Sequence, residues 1–332
     1  MLDFKPLKLF RLPSLAYEDV LRYLDTFEII SISLCSKKSR TFAARAKILC
    51  KNNVELSVLV GNISGIEILS GGKKIIEIVF SQIGLGEVFG ATIYHERFES
   101  KIEPGKITLN FMRFDPQKIL KVMVNHIRVL YNQPVKELRL ENCIRHDPTV
   151  LFNFIDTPDR SIKRLSATDP ALDLPWILEK VDRLEYLEVG NQNLQTLAGK
   201  TLQCEELKLS NCENLTLAHI LTFKCSYLTI EFSQISSIDI NLYIQAWIRG
   251  ELPELKHATF VTGEMVSGDV FEGTQRVYIW WRQLKHNRTT LSRQLPILGG
   301  HDFRSDGGRV ATFFYSNVTY GKEIIDFVVW DN

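Results

Sequence analysis

The sequence of 332 residues lacks long hydrophobic runs, a charge imbalance and any secretory signal. No stretch of about eighteen apolar residues occurs, so no membrane-spanning helix is expected. Forty basic and thirty-nine acidic side chains give a net charge of +1, which argues against nucleic acid or an anionic membrane as a partner. The first residues, from Met1 to Pro6, mix charged and apolar side chains and do not resemble a signal peptide. A cytosolic or nuclear protein is therefore expected.

The six cysteines are too widely spaced for a structural zinc site. Cys204, Cys212, His219 and Cys225 are separated by eight, seven and six residues, whereas such sites favour a close C-x-x-C pair. Thiols in a reducing compartment stay unpaired, so small buried residues are the favoured interpretation. Neither a metal nor another cofactor is predicted.

Motifs of known catalytic chemistry are also missing, including the phosphate-binding loop, the G-x-S-x-G elbow and H-E-x-x-H. The segment from Gly84 to Gly90 is a G-x-G-x-x-x-G variant of a dinucleotide-binding loop. No second strand ending in an acidic residue follows at the required interval, so a turn between strands is favoured. The chain is predicted not to be an enzyme, and an α/β enzyme using this loop is the third hypothesis.

The first fifty residues predict three short helices. Asp25 precedes Glu28 by three positions, which is typical of a capping box, and Ser36 is suited to cap a third helix. Three helices of this size bury little surface, so the module is expected to be stabilised by contact with a partner. The apolar face of the first helix has spacings of three and four and comprises Ala16, Tyr17, Val20, Leu21 and Leu24.

Residues 8–52 resemble an F-box, from the Leu12 and Pro13 pair to the segment that starts at Leu34. Leu15 and Ser39 depart from the pattern, because many F-boxes carry Glu and Trp there. The resemblance implies docking to a Skp-type adaptor and through it to a cullin. An alternative is that these leucines form only the core of a small helical cap. The implied adaptor contacts are Leu12, Pro13, Val20, Leu21, Leu24, Leu34 and Cys35.

The middle of the chain repeats an apolar frame of the form L-x-x-L-x-L-x-x-[NC]. Its first position recurs at Val135, Ile162, Leu184, Cys204 and Cys225, at spacings of 27, 22, 20 and 21 residues. Leucine-rich repeats have this pattern, and each contributes a short parallel strand. The predicted fold class is α/β, with an all-α three-helix F-box followed over residues 53–332 by an irregular leucine-rich-repeat-like domain with a parallel sheet. Alternation along the strands displays the predicted target-binding residues Arg139, Tyr186, Glu188, Lys208, Tyr227 and Thr229.

The carboxyl-terminal third carries a second resemblance, in Trp247 followed by Gly250 and in the segment around Asp306 and Gly307. These features are similar to the type 2 F-box-associated domain of a nematode-expanded F-box family. Residues 310–315 and 324–330 are extended and apolar, and they predict a hairpin that closes the open end of the repeat stack.

Together the two resemblances imply the substrate-recognition subunit of a Skp–cullin–F-box ubiquitin ligase. The amino-terminal module would bind the adaptor and the larger domain a protein target, with neither nucleic acid nor membrane as a partner. The second hypothesis is a stand-alone leucine-rich-repeat protein that binds other proteins without a role in a ligase.

Overall fold

The chain forms two compact units, Met1–Ile162 and Lys163–Asn332, called here the N-terminal and C-terminal units. Each combines α-helices with a β-sheet. Within the part of the chain that is described, no helix is long and apolar enough to cross a membrane. The computed structural model describes residues 13–47, 54–61, 64–81, 89–93, 96–110, 116–141, 162–181, 183–192, 194, 201–231, 234–262, 268–283, 296–319 and 322–330.

The N-terminal unit begins with the three predicted helices, α1 (Ser14–Tyr23), α2 (Thr26–Cys35) and α3 (Lys37–Lys47). The Asp25 carboxylate accepts a hydrogen bond from the Glu28 amide, and the Glu28 carboxylate accepts one from the Asp25 amide. This reciprocal pair is the predicted capping box. At the start of α3 the Ser36 hydroxyl accepts from the Ser39 amide at 3.0 Å, so both predicted caps are confirmed.

The sheet of the N-terminal unit is mainly antiparallel, with the strand order β7-β1-β2-β3-β6-β5-β4. Parallel pairing occurs only between β1 and β7 and between β3 and β6 in the described pairs of this unit. The unit also contains helix α4 (Pro116–Tyr131). The strands are β1 (Val54–Gly61), β2 (Gly65–Ser70), β3 (Lys73–Ser81), β4 (Phe89–Ile93), β5 (Glu96–Glu103), β6 (Lys106–Asn110) and β7 (Val135–Glu141).

This antiparallel arrangement differs from the parallel, repeat-like sheet predicted from residue 53 onward. The reason is visible between β2 and β3, which are joined only by Gly71 and Gly72 at φ values of 57° and 76°. Both angles lie in the left-handed region that glycine adopts without strain, as a tight hairpin turn requires. A two-residue turn can join only antiparallel strands, because a parallel pair needs a long crossover.

The C-terminal unit contains five parallel strands in sequential order, β8 (Arg164–Ala167), β9 (Leu184–Gly190), β10 (Cys204–Ser210), β11 (Tyr227–Glu231) and β12 (His257–Thr262). Each of the four neighbouring pairs is parallel, as the frame predicted for β8 to β11. Helices α5 (Leu174–Lys180), α6 (Leu217–Thr222) and α7 (Ser237–Ile248) lie in the connections between these strands.

Four antiparallel strands continue this sheet beyond β12, in the order β16-β15-β14-β13. They are β13 (Val277–Gln283), β14 (Pro296–Arg304), β15 (Val310–Thr319) and β16 (Lys322–Trp330). The β15–β16 pairing confirms the predicted hairpin, and β16 pairs antiparallel with β12. The last parallel strand is therefore hydrogen-bonded on both sides, as the prediction of a closing hairpin required.

The core of the C-terminal unit consists of two apolar rows that cross the five parallel strands. Helix α7 packs over this face, with Tyr243 edge-on to Phe260 at 5.5 Å and Trp247 edge-on to Phe327 at 5.2 Å. Polar side chains therefore alternate onto the opposite face of the sheet. All members of the rows are at most 2% exposed: Leu165, Leu187, Leu207, Leu228 and Ala258 in one, and Ala167, Val189, Leu209, Ile230 and Phe260 in the other.

Candidate functional site

Helix α1 presents an apolar surface, called here the α1 ridge, which consists of Val20, Tyr23 and Leu24. Tyr23 is 90% exposed, whereas Val20 and Leu24 are half-buried. Their spacings of three and four residues bring these side chains to one side of the helix end. Pro13, which immediately precedes α1, is also exposed. An exposed apolar surface of this kind is typical of a protein-binding site.

Two residues predicted as adaptor contacts lie in the core instead. Leu21 and Leu34 are 0% and 2% exposed, so they present no surface to a partner in this structure, and their adaptor contact stays a prediction. Cys35 is exposed, although partial burial raises the pKa of its thiol, and Leu12 lies outside the described residues. The sequence reasoning missed Tyr23, for which the only available signal was its helical spacing from Val20.

The helical module is fixed to α4 of the same unit by buried polar contacts. The Ser33 hydroxyl lies 2.9 Å from Nε2 of His126, and the Tyr131 hydroxyl donates to the Thr26 carbonyl at 3.1 Å. Burial, reinforced by the nearby Arg40, lowers the pKa of His126 to about 3, so its ring is neutral at physiological pH. Helix α4 of the same chain therefore supplies part of the packing surface that the three helices were predicted to need.

The polar face of the C-terminal sheet carries a ladder of ionic and hydroxyl contacts across neighbouring strands. Nζ of Lys208 lies 3.3 Å from the Glu188 carboxylate and 3.4 Å from that of Glu231. Ser166 donates to Glu188 at 2.9 Å, and Ser210 donates to Glu231 at 3.1 Å. Burial alone would lower the pKa of Lys208, but the two carboxylates outweigh it and the pKa is raised.

Two tyrosines lie beside this ladder on the same face. The Arg164 guanidinium lies 4.6 Å from the ring centroid of Tyr186, a cation–π contact. In the strand register Glu206 lies between Tyr186 and Tyr227. Burial is the main cause that raises the pKa of Tyr186, so the phenol stays protonated.

The structure thus brings five of the six predicted target-binding residues onto one sheet face, while the sixth belongs to the other unit. The sixth, Arg139, lies on β7, where its guanidinium forms an ion pair with Glu67. The five are Tyr186, Glu188, Lys208, Tyr227 and Thr229, each of them half-buried.

A buried polar cluster that the sequence did not reveal joins β12 to β16. Nε2 of His257 lies 2.6 Å from Oδ1 of Asp326, and the Thr259 hydroxyl donates to the same oxygen at 2.7 Å. The hydroxyl thus directs its proton to the carboxylate rather than to the imidazole, which is unsuited to nucleophile activation. His257 and Asp326 are 69 positions apart in the chain, so no local sequence pattern predicted their contact.

The cysteines of the repeat frame have the environment of buried apolar residues. Cys204, Cys212 and Cys225 are at most 8% exposed. Burial raises the pKa of Cys204 to about 12 and that of Cys212 to about 11, and it raises that of Cys225 further. No group of three or more metal-ligating side chains occurs among the residues described. Cys143 and the segment 84–88 lie outside them.

An exposed apolar helix surface and a displayed polar sheet face are both features typical of protein-interaction surfaces. Comparison with protein families matches an F-box domain over residues 9–51 and an F-box associated domain over residues 191–260. The chain therefore contains both an F-box domain and an F-box associated domain. Helices α1 to α3 lie within the first match, and β10, β11, α6 and α7 within the second. Searches of curated proteins and of solved structures gave no match.

Proposed function

We propose that the protein is the substrate-recognition subunit of a Skp–cullin–F-box ubiquitin ligase in the cytosol or nucleus. The observation that carries the proposal is the presence, in one chain, of an F-box and an F-box associated domain. The F-box binds the Skp-type adaptor and through it the cullin, while the C-terminal unit holds a protein target. The chain then contributes to ubiquitin transfer by proximity, without a nucleophile of its own.

The α1 ridge supports adaptor docking. A tyrosine that is 90% exposed beside two half-buried aliphatic residues is an anchor suited to a hydrophobic pocket of a partner. Pro13 and Cys35 extend the exposed part of the predicted contact set. In this proposal Leu21 and Leu34 do not contact the adaptor. Their buried side chains hold α1 and α2 in position.

The C-terminal unit supports target binding by a leucine-rich-repeat-like sheet. Its five parallel strands recur near the predicted spacing, with apolar side chains in the core and polar ones displayed on the other face. We place the target contacts at Tyr186, Glu188, Lys208, Tyr227 and Thr229. Arg139 is left out because it lies on β7 of the N-terminal unit and not on this sheet face.

Co-purification tests the proposal. Tagged full-length protein is expected to retain a Skp-type adaptor and a cullin, and a variant with both Val20→Ala and Tyr23→Ala is expected to lose them. The matched control is Tyr227→Ala, which alters the proposed target face and should retain both partners. If folded wild-type protein retains neither component, the ligase role is wrong, and a stand-alone leucine-rich-repeat protein replaces it.

A further inference from the structure

A cavity of about 350 Å³ opens into the C-terminal unit between α6, α7 and the segment 251–255. Its size is within the range of small-molecule sites, which are about 300 to 1,000 Å³. The apolar wall is made by side chains that are at most 7% exposed: Ile220, Phe223, Leu228, Leu252 and Leu255. Exposed polar residues, among them Lys224 and Glu254, complete the lining, so only the buried wall offers apolar surface to a ligand.

A tyrosine hydroxyl without a hydrogen-bond partner lies in this apolar lining. Tyr243 lines the cavity and is 2% exposed, and the described residues offer no hydrogen-bond partner to its hydroxyl. Burial, with a smaller effect of the nearby Cys225 thiol, raises the pKa of the phenol well above its usual range, so the hydroxyl keeps its proton. Its oxygen is not among the fully enclosed polar atoms of the described residues that lack a partner, so it keeps accessible surface. A donor is thus available to a molecule in the cavity.

The charges around the cavity favour a neutral ligand. Lys224 and Glu254 place opposite charges at the rim, and Glu251 is already bound to Arg249 at 2.6 Å. The buried lining residues named above are all uncharged. An ionised group that reached the buried wall, away from these rim side chains, would lose its hydration without gaining a counter-charge there.

We propose that this cavity binds a small uncharged molecule with an apolar body of aromatic size and one oxygen atom that accepts a hydrogen bond from Tyr243. The lining residues lie between Thr201 and Leu255, within the region matched by the F-box associated domain. Leu228 and Tyr243 lie on the core side of the sheet, whereas the proposed target contact Thr229 alternates to the other face. The site is therefore separate from the proposed target surface, and its test does not depend on the ligase role.

Three probes of similar size test the ligand class on the full-length protein. Acetophenone has a carbonyl acceptor, isopropylbenzene has the same shape without an acceptor, and benzoate is charged. In ligand-detected NMR titrations both neutral probes should bind, and acetophenone should bind the wild type about fivefold more tightly than it binds Tyr243→Phe, as one net hydrogen bond provides. Benzoate should not bind.

Tyr243→Phe identifies the donor. The variant should bind acetophenone more weakly than the wild type does and isopropylbenzene with unchanged affinity, because only acetophenone loses a hydrogen bond. Its thermal midpoint should equal or exceed that of the wild type, because no protein hydrogen bond is lost. Leu252→Trp should fill the cavity and abolish binding of both probes.

Three results would overturn the proposal. One is that neither neutral probe binds the wild-type protein, and another is that Tyr243→Phe binds acetophenone as tightly as the wild type does. The third is a marked drop in the thermal midpoint of Tyr243→Phe, which would show that the hydroxyl has a structural partner instead of a role in ligand binding. Because Tyr243→Phe removes a single oxygen, these readouts decide the question even if Leu252→Trp does not fold.

Discussion

The Ser33 hydroxyl and the His126 imidazole are 2.9 Å apart and fully buried, although 93 positions separate them in the chain. The Ser33 hydroxyl donates to the Ile30 carbonyl at 2.6 Å, so its oxygen is the acceptor for His126. Nε2 therefore carries the proton, and Nδ1, which has no partner in the described structure, does not. This contact fixes the second helix of the F-box to α4.

Replacing this histidine should destabilise the protein. His126→Ala removes a buried hydrogen bond and leaves a cavity, so we expect a loss of about 2 to 4 kcal/mol in the free energy of unfolding. Urea denaturation followed by circular dichroism measures the change. Val129→Ala on the same helix is the control, because Val129 is 59% exposed and its truncation should cost less than about 0.5 kcal/mol. Equal effects of the two substitutions would contradict the prediction.

The same histidine should make stability depend on pH. The pKa of His126 is lowered from 6.5 to about 3 in the folded protein, so the unfolded chain binds the proton more readily. The contribution of the neutral ring is fully present above pH 6.5 and is lost as the pH falls toward 3. The limiting slope is about 1.4 kcal/mol per pH unit. Urea midpoints of wild type and His126→Gln between pH 7 and pH 4 test this: parallel profiles would refute it.

Burial separates the effects of two substitutions in α1. Leu21→Ala removes a fully buried side chain and should lower the free energy of unfolding by about 2 to 5 kcal/mol. Tyr23→Ala should leave stability within about 0.5 kcal/mol of wild type but weaken adaptor binding by about 2 kcal/mol. Thermal unfolding and titration with purified adaptor measure the two quantities. Retention of full adaptor affinity by Tyr23→Ala would remove the α1 ridge from the interface.

Lys208 should stabilise the C-terminal sheet by separating two carboxylates. Lys208→Met leaves Glu188 and Glu231 without the cation between them, and we expect a loss of about 1 kcal/mol. The effect should shrink at high salt, because these side chains are only partly buried. Lys256→Met, at an exposed position, is the control. The measurement is urea unfolding at low and high ionic strength, and an effect of Lys208→Met that does not change with salt would rule out this electrostatic origin.

Local sequence patterns predicted the elements whose cause is local. Asp25 and Glu28 form the capping box because each reaches a backbone amide three positions away. The leucine frame predicted β9 and β10 and their parallel pairing, because inward and outward side chains alternate along each strand. Spacing placed Leu21 on the apolar face of the first helix and left Tyr23 out, but it did not decide whether the chain itself or a partner covers that face.

The sequence by itself determined the three helices and their caps, the parallel strands of the repeat frame and the closing hairpin of β15 and β16, because each depends on side-chain periodicity or on groups a few residues apart. Only the tertiary structure decided that Leu21 is buried, that Ser33 meets His126, that His257 meets Asp326 and that Tyr243 faces a cavity without a partner. These relationships depend on the close packing of segments that are distant in the sequence, because the packed segments decide which side chains are buried and which polar groups meet.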